Sequence, residues 1–181
     1  MDKLRLKPYP DPCLRIKTKP VEEFNGEVED SLRSMADLMY LNGGIGLAAT
    51  QVGLGLRLLV IDAGDELIKI VNPTIVEKSK EKDKMEEGCL SLPGIGVKVS
   101  RPVKVKVRAQ DSGGKFFVRT FESLKAKALQ HEIDHLNGKL IIDYLDPIRR
   151  LVFTRRAGLF RNKGTGKTCE VVCNARDENI R

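Results

Sequence analysis

Residues 130–138 read QHEIDHLNG, and His131 and His135 are the only two histidines in a chain of 181 residues. Around them, SLKAKALQHEIDHLNG places Leu124, Ala128, Leu129, Ile133 and Leu136 at helical spacing. Ser123 stands as an N-cap and Asn137-Gly138 as the stop. Any fold of this chain must therefore pack a helix that carries two imidazoles one turn apart on one face, with Glu132 turned about 100° away from them.

The rest of the chain limits what can surround that helix. Val28, Leu32, Met35 and Met39 recur at helical steps until Gly43-Gly44 ends the pattern, which predicts an N-terminal helix. RLLVIDA and LIKIVNPTIVEKS read as short apolar strands, and KSKEKDKMEE reads as a solvated charged loop. Val103, Val105, Val107 and Ala109 alternate with Lys104, Lys106, Arg108 and Gln110; DSGG and a second extended run, KFFVRTF, follow, as in a hairpin with one wet face. Strands before a late central helix, without βα alternation, predict an α+β fold in which antiparallel sheets pack around the HExxH helix. Asp146-Pro147 starts a C-terminal helix, with Ile148, Leu151, Val152 and Leu159 as its apolar stripe beside Arg149, Arg150, Arg155 and Arg156.

Composition narrows the functional classes. With 41% hydrophobic and 31% charged residues, the chain suffices for one domain with a real core. No apolar run approaches the length that spans a bilayer, and MDKLRLKPYPDP lacks a secretory h-region, so the expectation is a soluble, unexported protein with no membrane partner. Cys13, Cys89, Cys169 and Cys173 form no tight framework and read as reduced thiols, one of them a possible ligand. The net charge of +7 is uneven: residues 1–147 hold 23 Lys+Arg against 22 Asp+Glu, and residues 148–181 hold 9 against 3. The division expected is a catalytic domain at 1–147 and a basic helix and tail at 148–181, not an independent domain.

Imidazoles at i and i+4 can converge on one metal ion while the intervening Glu handles the protons of a water molecule. Such a site needs a third protein ligand. The position of a metzincin third histidine holds Ile141, and the only acids between His135 and Glu170 are Asp143 and Asp146, too near for a thermolysin-like ligand. Upstream, EEGCLSLPGIG offers Cys89, whose thiolate would suit a soft divalent ion such as Fe²⁺ or Zn²⁺. A third stretch, GGIGLAATQVG at 43–53, allows close backbone approach to a ligand and supplies the Gln51 amide.

With GIGLAATQ, EGCLS and QHEIDHLNG in that order, the chain resembles the peptide deformylases, from PDPCLR to DYLDP, some four-fifths of its length. The resemblance implies a metal-dependent hydrolase that removes the formyl group from the N-terminal formylmethionine of new proteins and releases formate. It implies Cys89, His131 and His135 as metal ligands with water as the fourth, Glu132 as general base, and Gln51 and the backbone N–H of Leu90 as oxyanion donors. Gly44, Ile45, Gly46, Leu124 and Ala128 would form the substrate pocket, and Glu87 with Arg101 an ion pair steadying the cysteine loop. Fe²⁺ is the cofactor implied, with Zn²⁺, Ni²⁺ or Co²⁺ as substitutes. The partners implied are N-formylmethionyl peptides and, through the basic C-terminal segment, the ribosome, in a bacterial cytoplasm or an organelle.

Two alternatives stay open at this level: another HExxH metallohydrolase such as a peptidase, and a non-catalytic, metal-stabilised RNA-binding protein. Past Phe160, RNKGTGKTCEVVCNARDENIR matches nothing in the family, and its GTGKT is a poor phosphate loop, since the motif's first glycine falls at Arg161.

Overall fold

The computed structural model describes residues 4–161, with the side chains of 155–161 excepted. Seven strands and three α-helices make an α+β fold: α1 (Gly26–Leu41), β1 (Gly46–Ala48), β2 (Leu58–Ile61), β3 (Ile68–Lys78), β4 (Lys82–Glu87), β5 (Val97–Pro102), β6 (Lys104–Gln110), β7 (Phe116–Glu122), α2 (Ser123–Leu136) and α3 (Pro147–Arg161). Five strands form one antiparallel sheet in the order β1-β2-β3-β6-β7, and β4-β5 forms a separate antiparallel pair.

The helix α1 starts where the Asn25 side chain accepts from the N–H of Glu27 at 3.1 Å, and it buries Val28, Leu32, Met35 and Met39 as their spacing requires. In β6, Val105, Val107 and Ala109 face the core while Lys104 and Arg108 stay exposed, the wet-faced hairpin expected, with Val107 opposite Arg119 in β7. These side chains join Leu47, Leu58, Val60, Ile70, Leu129 and Leu136 in the principal core, each fully buried aliphatic contributing about 1.5–3 kcal/mol. A second cluster under the β4-β5 pair gathers Leu14, Leu92, Val97, Val99 and Leu140–Ile142.

Between these cores, α2 is buried nearly all round from Ala126 to Leu136, including Lys127, Gln130, His131, Glu132 and His135. Burying that many polar side chains costs free energy unless each is paired or engaged by a ligand, so the helix is placed for chemistry as well as packing. Its C-terminal stop depends on Gly138, whose φ of 73° suits glycine and where an added Cβ would lie 2.6 Å from the carbonyl oxygen of Arg15.

Three expectations need correction. The charged run is no loop: Lys82–Glu87 is strand β4, paired with β5 so that Met85 lies opposite Val99. Its alternation was hidden because two of the three residues on the face that meets α2, Asp83 and Glu87, are acids held by cations of other elements. Ser123 is not the N-cap; the cap is Glu122, with no side-chain bond, and the Ser123 N–H donates to Val103 at 2.9 Å because the chain passes from β7 into α2 without a loop. On α3, which Asp146 caps through the N–H of Arg149, Ile148, Leu151 and Val152 are exposed. Among the described side chains of α3, Phe153 packs on the second core, 5.7 Å from the ring of Tyr9. Leu159 and the tail from residue 162 onward lie outside the described side chains. Among the described residues no helix is long and apolar enough to cross a membrane.

Candidate metal centre

Three elements converge. The helix α2 supplies His131, Glu132 and His135; the turn after β4 supplies Cys89, closed by a bond from the N–H of Leu92 to the Cys89 carbonyl at 2.9 Å; β1 and the 3₁₀ turn after it supply Gly46 and Gln51. One donor atom each from Cys89, His131 and His135 lies within 4.8 Å of the others. The Nε2 atoms of the two histidines are 3.2 Å apart, and His135 Nε2 is 3.2 Å from Cys89 Sγ. Two nitrogens bound tetrahedrally at about 2.0–2.1 Å from an ion lie about 3.3 Å apart, so the imidazole pair stands at the separation that shared coordination of a divalent cation requires, with the Cys89 sulfur beside it.

The surroundings fix the tautomer. His131 Nδ1 stands 3.0 Å from Glu87 Oε2, so its proton is held by the carboxylate and Nε2 is left to face Cys89 and His135. Glu87 is itself clamped by Arg101, whose Nε and Nη2 donate to its two oxygens at 2.5 and 2.9 Å, with both side chains buried. Arg101 Nη1 reaches Asp134 at 2.8 Å, where the Tyr144 hydroxyl also donates at 2.7 Å.

The electrostatics suit one positive centre. Burial opposes a charge on His131, but contacts with Cys89 and Glu87 and the nearby Glu132 outweigh it and push the imidazole up to about 10. Burial, and then the charge on His131, hold His135 well below its ordinary value. The acids around the pair thus favour a cation between the rings, a place a metal ion can take. Burial also raises Glu132 to about 7, so its carboxylate is poised to hold or release a proton near neutrality. Glu132 Oε2 and His135 Nδ1 are the buried side-chain polar atoms without a partner among the described residues.

Gln51 is oriented by its own backbone. Its Oε1 accepts from the N–H of Ala48 at 2.8 Å, which turns Nε2 toward Ser91 Oγ at 3.3 Å and Cys89 Sγ at 3.5 Å. Gly46 is required for a different reason: a Cβ there would overlap the Glu132 carboxylate. A cavity of about 370 Å³ opens onto these groups, lined by Gly44, Ile45, Gly46, Leu90, Leu124 and Ala128 as well as Cys89, His131 and Glu132.

EGCLS and HEIDH thus bring a Cys-His-His cluster that could hold a metal ion to one end of a largely apolar cavity. The family described as polypeptide deformylase matches residues 3–151. The chain belongs to the polypeptide deformylase family. A peptide deformylase of Thermotoga petrophila is 41% identical over 152 residues, 84% of this chain and 93% of that protein. That of Caldanaerobacter subterraneus is 51% identical over 133 residues, 74% of this chain and 83% of that one. A crystal structure of a peptide deformylase from Legionella pneumophila, 45% identical, covers 88% of this chain and 95% of its own, with a TM-score of 0.80. The chain is accordingly a hydrolase of this family with a catalytic metal, acting on formylated nascent peptides; neither the general peptidase nor the RNA-binding alternative is favoured.

Among the cavity residues that escaped sequence reasoning are Met85 and Lys127. Both follow from β4 being a strand: Met85 then faces α2, and Lys127 sits one helical turn before His131 on the same side. Asp134 and Tyr144, which complete the Arg101 network, carry no spacing signal because they meet only through the fold. Of the cysteines, Cys89 is a free thiol at the cavity and Cys13 is buried in the fold, while Cys169 and Cys173 lie outside the described residues.

Proposed function

We propose that Cys89, His131 and His135 hold the catalytic ion and that Fe²⁺ is the native one, with Zn²⁺, Ni²⁺ or Co²⁺ able to replace it. The observation that carries this reading is the convergence of one cysteine sulfur and two imidazole nitrogens, with a buried carboxylate beside them that needs no part in ligation. When bound, the ion supplies Lewis acidity to a water molecule and to the formyl oxygen.

The chain's own groups do the rest. Glu132 takes a proton from the attacking water and delivers it to the departing amine nitrogen as the C–N bond of the formamide breaks, giving formate and a free N-terminal methionine. The Gln51 amide and the backbone N–H of Leu90 donate to the formyl oxygen as it gains negative charge. Gly44 and Gly46 keep the acyl end of the cavity small, so that formyl fits and bulkier acyl groups do not. Ile45 and Leu124, still 44% and 40% exposed at the cavity, and Ala128 receive the methionine side chain. Glu87 and Arg101 hold His131 in register.

Residues 1–147 constitute the catalytic domain in this reading, and 148–181 an appended basic segment that docks the enzyme on ribosomal RNA, where nascent chains emerge. The bacterial cytoplasm is the location this reading assigns. The test is formate release by metal-analysed protein from formyl-Met-Ala-Ser against acetyl-Met-Ala-Ser: hydrolysis of the formyl peptide alone is expected, and equal hydrolysis of both, or of neither, overturns the assignment.

A further inference from the structure

Lys127 is a cavity residue that the hydrolysis does not use. On β4, Asp83, Met85 and Glu87 share one face, and opposite them on α2 Lys127 and His131 stand one turn apart. Two charged contacts cross between the elements: the Lys127 ammonium with Asp83, and His131 Nδ1 with Glu87 at 3.0 Å. Met85 lies between them and lines the cavity together with Lys127. The strand and the helix are thus pinned at two points, one at His131 itself and one a helical turn away, about 6 Å along the helix axis, at the cavity residue Lys127.

The burial of this pair is unequal. The Lys127 side chain is 9% exposed, whereas that of Asp83 is 58% exposed. A lysine stays buried only while its ammonium has a partner and its methylenes cover apolar surface. Asp83 is that partner, and the hydrogen bond from Lys127 is the leading cause that holds its carboxyl below the ordinary range. Without Asp83, desolvation would favour a lysine swung into water, and its four methylenes would leave the cavity wall.

We infer that the Asp83–Lys127 pair is a specificity device: it holds the lysine stem against Met85 as a wall of the cavity and so limits the length of side chain that the site accepts. The inference rests on the deformylase reading of the cavity and adds to it a length limit set by an ion pair.

The test compares kcat/KM for formyl-Met-Ala-Ser with that for the peptide whose first residue is ethionine, one methylene longer, in wild type, Asp83→Ala, Lys127→Ala and Lys127→Met, each with measured metal content and thermal unfolding. Wild type should prefer methionine by about tenfold or more, the range one methylene commands in a closed pocket. Lys127→Ala and Asp83→Ala should each reduce that preference about fivefold or more, and Lys127→Met, which refills the wall without needing an anchor, should keep it. Asp83 is exposed, so its variant carries the test if Lys127→Ala fails to fold. A preference unchanged within twofold in either alanine variant overturns the inference while leaving the deformylase reading intact. A metal-loaded wild type that releases formate from neither peptide overturns that reading, and the length limit with it.

Discussion

Glu87 Oε2 accepts from Nδ1 of His131 at 3.0 Å, while Arg101 donates to both oxygens of the same carboxylate. One buried acid therefore fixes a ring proton on the side away from Cys89 and His135. Its charge is satisfied on the other side by an arginine that burial would otherwise disfavour, and which Glu87 and Asp134 hold above its usual range.

That chain of contacts predicts the effect of cutting it. Arg101→Met leaves Glu87 as a buried carboxylate without its main partner, and Glu87→Gln weakens the hold on the ring. Each should lower metal affinity about 10–100-fold by competition with a chelator. Wild-type affinity in both variants would show that the ion pair merely supports packing.

How far the site was legible in sequence depends on whether a residue's role shows in local spacing. His131, Glu132 and His135 announce themselves on one helix, whereas Cys89 and Gln51 offer only a candidate thiol and amide, and their roles come from the family resemblance that EGCLS and GIGLAATQ carry. Asp83, Met85 and Lys127 could not be read the same way, because a strand face that carries two acids looks like a solvated run until its cationic partners elsewhere in the chain are known. The exposed Ile148, Leu151 and Val152 of α3 show the converse: a helical apolar stripe identifies a face but does not say whether anything covers it.

Gly46 and Glu132 provide a second prediction. Gly46→Ala places a methyl where the carboxylate lies, so the acid must move off its position without any ligand being changed. Turnover should fall at least about tenfold with metal content retained, and Glu132→Gln, which removes the proton carrier itself, should cost about a hundredfold or more. Normal turnover in Glu132→Gln would move the base elsewhere.

Asp143 yields a pH prediction. Burial alone would raise its carboxyl, but bonds from Arg15 and from the N–H of Leu140, with Arg150 nearby, hold it below the ordinary value. A carboxyl depressed in the folded state stabilises the fold at neutral pH, and that contribution is lost as pH falls below about 4. Asp143→Asn should therefore lower the thermal midpoint at pH 7, and the gap to wild type should shrink toward pH 3. A gap that persists unchanged at pH 3 would assign the effect to packing.

The most direct measurement of the central claim is the rate of formate release from formyl-Met-Ala-Ser by metal-free protein titrated anaerobically with Fe²⁺. If Cys89, His131 and His135 hold one working ion, the rate rises in proportion to added iron and levels off at one equivalent per chain, and Cys89→Ser shows no such break. Full activity in the metal-free protein, or the same one-equivalent break in Cys89→Ser, would contradict the account.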